Sequence, residues 1–169
     1  PLPLLFEVVP SMTPDPIRPS DPQARALALQ LMAGARFAAL AVTEAQTGLP
    51  FCSRIALAQD RDGLMLGFVS GLAQHTRALR DAPACCLLIG EPGAQGDPLT
   101  HPRLSLQARA VFPDDGHEAR LGLWLKAHPK ARIYAGLPDF RFLRFEPVAG
   151  FLNGGFGRAF RFTPEELSP

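Results

Sequence analysis

The clearest alternation of apolar and polar positions in the chain runs from Arg103 to Phe112. Every second residue of this run is apolar: Leu104, Leu106, Ala108, Ala110 and Phe112. The residues between them are mostly polar: Arg103, Ser105, Gln107, Arg109 and Val111. Because successive side chains of a strand point to opposite faces, this pattern predicts a strand with one buried face.

Six further apolar runs, each bounded by turn residues, predict additional strands. They span residues 37–43, 51–58, 64–69, 85–90, 140–145 and 156–162. Between the second and third of these runs, the segment from Asp60 to Gly63 has the composition of a hairpin turn.

A first helix is predicted to begin at Asp21-Pro22, because proline is favoured at the first helical position. Its apolar residues recur at helical spacing and form one face: Ala24, Leu27, Ala28, Leu31 and Ala35.

Two more helices are predicted from capping residues. Ser70 is the predicted N-cap of a short helix that Pro83 ends. Asp114 or Asp115 is predicted to cap a third helix running to about His128, followed by a short helical piece over residues 131–135.

About seven strands with few helices predict a mainly β (α+β) domain, a small antiparallel barrel of about six to seven strands with flanking helices. Six prolines among the first 20 residues predict an extended or disordered arm over residues 1–14, which leaves a single domain over residues 15–169. The apolar start of the chain is short and contains Glu7, so it is predicted to be neither a signal peptide nor a membrane span.

Composition excludes several classes of partner. The 169 residues carry a net charge of +1 with scattered basic residues, which predicts no nucleic acid and no membrane partner. Cys52, Cys85 and Cys86 are odd in number and form no C-x-x-C motif, so we expect three reduced thiols and a cytoplasmic location. The four histidines have no close metal-ligand spacing, and no metal site is predicted.

The predicted turn and helix after Ser70 carry the first candidate chemistry. His75, Thr76 and Arg77 fall in the first turn or so of that helix. Unpaired N–H groups at a helix start, a hydroxyl and a guanidinium together suit a phosphate monoester. The alternative interpretation is a capped surface helix with a solvated arginine.

Arg54 is the second candidate, in the middle of a predicted strand. Its own face carries Cys52, Ala56 and Ala58, which are all small, so a ligand or a second subunit has room to pack there. A dianion prefers two guanidinium groups, and Arg54 and Arg77 would supply them. The alternative is an exposed strand arginine over small residues.

A glycine-rich segment near the C-terminus is the third candidate. Glycines at positions 154, 155 and 157 allow positive φ and a close approach of the backbone to a flat ligand. Arg158 alternates with Phe156 and Phe160, so it is predicted to share their face and to contact such a ligand. The alternative is a bulge that turns the last strand.

Four segments in this order resemble those of the split-barrel flavoproteins of the pyridoxamine 5′-phosphate oxidase-like superfamily. They are S-R-I-A-L from Ser53, S-G-L-A-Q-H-T-R-A-L from Ser70, G-E-P-G-A-Q-G-D-P-L-T-H-P-R-L-S-L from Gly90 and G-G-F-G-R-A from Gly154. The chain is similar in particular to the branch of HugZ-type haem-utilisation proteins, and the resemblance covers roughly residues 15–162.

The resemblance implies a small split β-barrel over residues 15–169 that binds FMN at the interface of a homodimer. It implies an FMN-dependent oxidoreductase acting on a small-molecule substrate that the sequence does not specify. It assigns cofactor binding to Arg54, Ser53, Ser70, His75, Thr76, Arg77 and Arg158, and it assigns no catalytic acid or base.

Alternatives on the same fold remain open. The first is a haem-binding or haem-degrading protein; there the resemblance points to a C-terminal histidine, whereas this sequence has none after His128. A non-catalytic dimeric split barrel and a deazaflavin-binding protein are the others.

Overall fold

The computed structural model describes residues 16–168. The predicted arm over residues 1–14 therefore lies outside the described residues. Residues 16–168 form three α-helices: α1 (Pro22–Gly34), α2 (Gln74–Asp81) and α3 (His117–Ala127). The strands are β1 (Arg18–Pro19), β2 (Phe37–Thr43), β3 (Pro50–Ala56), β4 (Ala58–Gln59), β5 (Met65–Ser70), β6 (Ala84–Ile89), β7 (Arg103–Val111), β8 (Phe140–Asn153) and β9 (Ala159–Phe162). Short 3₁₀ helices span Pro98–Thr100, Pro129–Ile133 and Glu165–Leu167.

The nine strands in the described part of the chain belong to one sheet, in which the main path has the order β1-β9-β8-β7-β6-β2-β3. β4 follows β3 after one residue and pairs with β5, and β5 in turn pairs with β8. Within the described chain β3 pairs with β2 alone, so the barrel is split between β3 and β5. Every ladder is antiparallel except the one between β1 and β9. The predicted mainly β split barrel with flanking helices is thereby confirmed.

The last two predicted strands differ from the observed ones. β8 continues well past residue 145 to Asn153, and β9 begins at Ala159 rather than at Phe156. Phe156 is fully exposed in the turn between them. The strand predicted over 51–58 is divided at Leu57, whose backbone N–H donates to the carbonyl of Arg36 instead of to a ladder partner.

α1 begins as predicted. The side chain of Asp21 accepts a hydrogen bond from the N–H of Ala24 at 2.7 Å, and Pro22 occupies the first helical position. Ala24, Ala28 and Met32 point into the barrel core. The C-terminal 3₁₀ helix packs beside α1 and inserts Leu167, which is fully buried against Gly150.

α3 begins at His117, so its N-cap lies one residue after Asp115 and two after Asp114, the two predicted caps. Its N-cap is Gly116, which has a φ of 66°, a left-handed conformation that glycine adopts without strain. The Asp115 side chain is exposed and pairs with Arg120 instead. α3 buries Trp124 in a second cluster, where it packs against Phe68, Phe142 and His128 at ring-centroid distances of 5.9, 6.3 and 4.5 Å.

A buried carboxylate ties the predicted hairpin turn to the rest of the domain. Asp60 accepts from Nε of Arg120 at 2.7 Å and lies 3.5 Å from the guanidinium of Arg144. Arg144 also pairs with Asp62 at 2.5 Å. The β4–β5 turn, α3 and β8 are therefore joined through one carboxylate.

No helix within residues 16–168 combines the length and the apolar character that crossing a bilayer requires.

Candidate functional site

The connection between β5 and α2 differs from the predicted cap. α2 begins at Gln74, and its N-cap residue Ala73 has no side chain that could bond the free N–H groups. Ser70 lies too early in the chain to cap this helix. Its hydroxyl donates to Oδ2 of Asp139 at 2.5 Å and accepts from the N–H of Leu72 at 3.1 Å. The prediction that Ser70 caps the helix is thus wrong, and the helix start lacks a side-chain cap.

Two polar groups in the first turn of α2 have no hydrogen-bond partner among the described residues. They are Nε2 of His75 and Oγ1 of Thr76, and the Thr76 side chain is fully buried. The other ring nitrogen of His75 lies 3.1 Å from the hydroxyl of Ser53. Burial lowers the pKa of His75, so its imidazole is neutral near pH 7.

Arg77 lines a cavity of about 420 Å³, whose lining includes neither His75 nor Thr76. Glu44, Gln74 and Asp81 line the same cavity. Arg77 forms no ion pair with any residue between 16 and 168. It is therefore available to an anion, although two carboxylates beside it weaken the attraction for a dianion.

Arg54 lies on the opposite face of β3 from Ser53 and is exposed. Its guanidinium stacks over the ring of Phe37 at 5.3 Å. Of the small residues predicted around it, Cys52 is exposed and Ala56 half-buried, whereas Ala58 belongs to β4 and is buried in the cluster around Trp124. The structure joins Ser53 to His75 and places Arg54 on the other side of the strand.

The face that carries Arg54 continues across six strands. In the strand register, directly paired residues form one row: Arg54, Ala39, Leu88, Ser105, Phe151 and Arg161. Paired residues share a face, so this row has an arginine at each end and mostly apolar side chains between them. We call the side of the sheet that carries this row the outer sheet face.

Apolar side chains on the outer sheet face are open to solvent. Leu88 is 44% exposed and Phe37 is 37% exposed. At the far end of the row, Arg161 stacks over Phe151 at 5.5 Å. The sequence patterns did not predict a role for Leu88, Phe151 or Arg161. Alternation along each strand indicates which side chains point outward, but it does not indicate which residues of different strands become neighbours.

The C-terminal glycine turn does not place Arg158 as predicted. Arg158 precedes β9 and closes the turn, where its N–H donates to Gly155 and its carbonyl accepts from Gly154. Gly155 and Gly157 have φ values of 111° and 69°. Strand alternation with Phe156 and Phe160 therefore does not apply, and the exposed Arg158 side chain lies at the rim of the sheet.

Comparison with known proteins finds relatives in sequence and in fold. No family model matches the sequence. The chain is 34% identical over 124 residues to the chloroplastic non-canonical heme oxygenase HOZ of Arabidopsis thaliana, a match that covers 70% of this chain and 37% of that protein. A heme binding protein from Mycobacterium smegmatis superposes with a TM-score of 0.78 at 28% identity, covering 89% of this chain and 61% of that one. Another solved chain, 47% identical, superposes with a TM-score of 0.81 over 90% of this chain and all of its own.

The chain shares its split-barrel fold with Campylobacter jejuni ChuZ, at a TM-score of 0.78 and 17% identity, and with a pyridoxinephosphate oxidase family protein from Clostridium acetobutylicum, at a TM-score of 0.65 and 16% identity. In sequence it is similar to the plant heme oxygenase and to the mycobacterial heme binding protein. It spans about a third of the plant relative and about three fifths of the mycobacterial one.

Proposed function

We propose that the chain binds haem against its outer sheet face. The observation that carries the proposal is the row from Arg54 to Arg161, a mostly apolar strip of directly paired residues with the exposed Arg54 at one end. A porphyrin needs an apolar surface for its ring and cations for its propionates. The descriptions of HOZ as a heme oxygenase and of the mycobacterial protein as heme binding support the same ligand.

The side chains near this face suit haem in part. Arg54, held over Phe37, is a suitable partner for a propionate. His101 and His128 already bond backbone groups through their ring nitrogens. Nε2 of His75 has no partner in the described chain, but it lies towards the other side of β3. The proposal therefore places haem against the outer sheet face and pairs a haem propionate with Arg54. It names no residue as an axial ligand of the haem iron.

A second copy of the chain is the proposed partner at this face. An exposed apolar strip on one protomer suits the same strip on another across a two-fold axis. Haem held between two such faces would be shielded from water on both sides. Three free thiols support a reducing compartment, and we propose a cytoplasmic location.

Titration with haemin, followed by the Soret band, tests the proposal. We expect a shifted Soret band in the native chain and at least tenfold weaker binding in Leu88→Asp, because a charge at the middle of the row opposes ring burial. Arg132→Ala is the matched control, since Arg132 is exposed in the 3₁₀ helix after α3. No Soret shift in the native chain, or equal affinity in Leu88→Asp, would refute haem binding at this face.

FMN is the second candidate, and the start of α2 favours it. The uncapped helix start, the partnerless Oγ1 of Thr76 and the free guanidinium of Arg77 suit a phosphate monoester. FMN would supply oxidoreductase chemistry, and Arg54, Ser53, Ser70, His75 and Arg158 stay predicted cofactor contacts. A deazaflavin phosphate would use the same groups.

Thr76→Val separates the two candidates. The substitution keeps the side-chain shape and removes a buried hydroxyl that has no partner in residues 16–168, so we expect unchanged or slightly higher thermal stability. If that hydroxyl donates to a phosphate, FMN affinity measured by fluorescence quenching should fall at least tenfold while haemin affinity stays constant. Unchanged FMN affinity would remove the start of α2 as a phosphate site.

A further inference from the structure

The cavity beside Arg77 lies between one face of α2 and the turn that joins β2 to β3. It is lined by Gln74, Arg77, Ala78 and Asp81 of the helix and by residues 44–47 of the turn. Helix positions three and four apart lie on the same side, so α2 presents a single face to the turn. The volume of about 420 Å³ is within the range of small-molecule sites, about 300–1,000 Å³. None of the lining residues belongs to the row that defines the outer sheet face.

Three charged side chains line this cavity, and none of them forms an ion pair with any residue between 16 and 168. They are Glu44, Arg77 and Asp81. Arg77 and Asp81 are one helical turn apart, a spacing at which opposite charges often pair, yet the two side chains do not bridge. The cavity therefore holds two carboxylates and one guanidinium, each open to a ligand of opposite charge.

The carboxylate of Glu44 is fixed in place by neutral donors. The hydroxyl of Thr47 donates to its Oε2 at 3.2 Å, and the side-chain amide of Gln74 donates to its Oε1. The second bond joins the turn to the start of α2. Neither donor neutralises the negative charge, and each carboxylate oxygen has a further lone pair with which to accept a hydrogen bond.

The position of Asp81 is unfavourable for a carboxylate in the free protein. Asp81 is the last residue of α2, where it meets the negative end of the helix dipole. The neighbouring Arg80 stacks over the ring of Phe112 at 5.8 Å and forms no ion pair with Asp81. A cationic group of a ligand in the cavity would offset this repulsion.

We propose that the cavity binds a basic amino acid of the lysine type. The carboxylate of the ligand pairs with the guanidinium of Arg77, and its two ammonium groups pair with Glu44 on the turn and Asp81 on the helix. Two ammonium groups and one carboxylate match the two carboxylates and one guanidinium of the cavity group by group. The proposal goes beyond haem or FMN binding and depends on neither.

Isothermal titration calorimetry with L-lysine tests the site. We expect one lysine bound per native chain. Two matched probes each lack one positive charge: L-norleucine lacks the ε-ammonium group, and Nα-acetyl-L-lysine lacks the α-ammonium group. Each should bind roughly tenfold or more weakly than L-lysine, since each leaves one carboxylate of the cavity without a partner.

Variants locate the site on the chain. Asp81→Asn and Arg77→Gln should each weaken L-lysine binding roughly tenfold or more. Asp114→Asn is the matched control and should bind L-lysine as the native chain does, because Asp114 is an exposed carboxylate outside the cavity. Without ligand, Asp81→Asn should melt at the same or a slightly higher temperature than the native chain, because it removes a charge that the helix dipole disfavours.

Three outcomes would overturn the proposal. They are the absence of L-lysine binding by the native chain, equal affinity for L-lysine and L-norleucine, and native affinity for L-lysine in Asp81→Asn. The melting temperature shows whether Asp81→Asn is folded, so a loss of affinity in that variant reports on the cavity. Arg77→Gln changes the other charge of the cavity and keeps the test decisive if Asp81→Asn fails to fold.

Discussion

Asp60→Asn is expected to lower the free energy of unfolding by about 3 kcal/mol, because it removes one partner of a buried charge cluster. Asp60 is 8% exposed, and its carboxylate lies 2.7 Å from Arg120 and 3.5 Å from Arg144. A neutral amide would leave both guanidinium groups in a poorly solvated place without their shared counter-charge. Urea denaturation of both proteins measures the difference.

Asp62→Asn is the matched control for this prediction. Asp62 also pairs with Arg144, at 2.5 Å, but its side chain is 50% exposed. Exposed ion pairs contribute little, so we expect a loss of less than about 1 kcal/mol. Equal losses in the two variants would show that burial of Asp60 is not what gives the cluster its effect.

The same cluster predicts a dependence of stability on pH. Burial favours the neutral form of Asp60, but hydrogen bonds from Arg120 and from the N–H of Arg61, with the charges of Arg120 and Arg144, outweigh it. The net result is a pKa below the usual 3.8. Since the folded pKa is the lower one, this stabilisation is complete above pH 3.8 and is lost as the pH falls through the folded pKa. The Asn variant should lose less stability than the native chain over that acid range.

Trp124→Ala is expected to cost about 3–5 kcal/mol, since it empties the centre of the second cluster. Trp124 is fully buried and contacts rings on β5, β8 and the end of α3. Trp124→Phe should cost much less, because it keeps ring packing and removes an indole N–H that has no partner in the described chain.

Thermal and urea denaturation of the two Trp124 variants decide this point. Phe156→Ala is the control, since Phe156 is a fully exposed aromatic residue and its loss should change stability by less than about 0.5 kcal/mol. A Trp124→Phe variant as unstable as Trp124→Ala would mean that the indole N–H does find a partner in solution.

Strands with strong alternation were predictable from local pattern. In β7 the alternating apolar residues from Leu104 to Ala110 are buried, as predicted. α1 begins at Pro22 with Asp21 as its N-cap, as predicted. β8 was not predictable beyond residue 145, because Pro147 usually ends a strand. The register against β7 shifts between Gln107 and Ala108, so Pro147 sits at a bulge and the strand continues beyond it.

The sequence predicted the residues of the candidate site better than it predicted how those residues are arranged in space. Alternation of side chains along β3 correctly predicted that Arg54 and Cys52 share an open face. The position of His75 to Arg77 in the sequence correctly predicted that they lie in the first turn of α2. The row that ends in Arg161 depends on register between strands distant in sequence. Local patterns carry no information about such register.

The length of β8 has a consequence for how the chain folds. This one strand pairs with β5, β7 and β9, and in the first of these ladders Gly67 meets Leu143, which is distant from it in sequence. Forming that ladder closes a long loop, and the entropy cost of closing the loop arises before the contacts of the ladder can stabilise the structure. Folding dominated by such distant pairings is slow, in the range of about milliseconds to seconds, so we expect closure of the barrel along β8 to be a slow step in the folding of this chain.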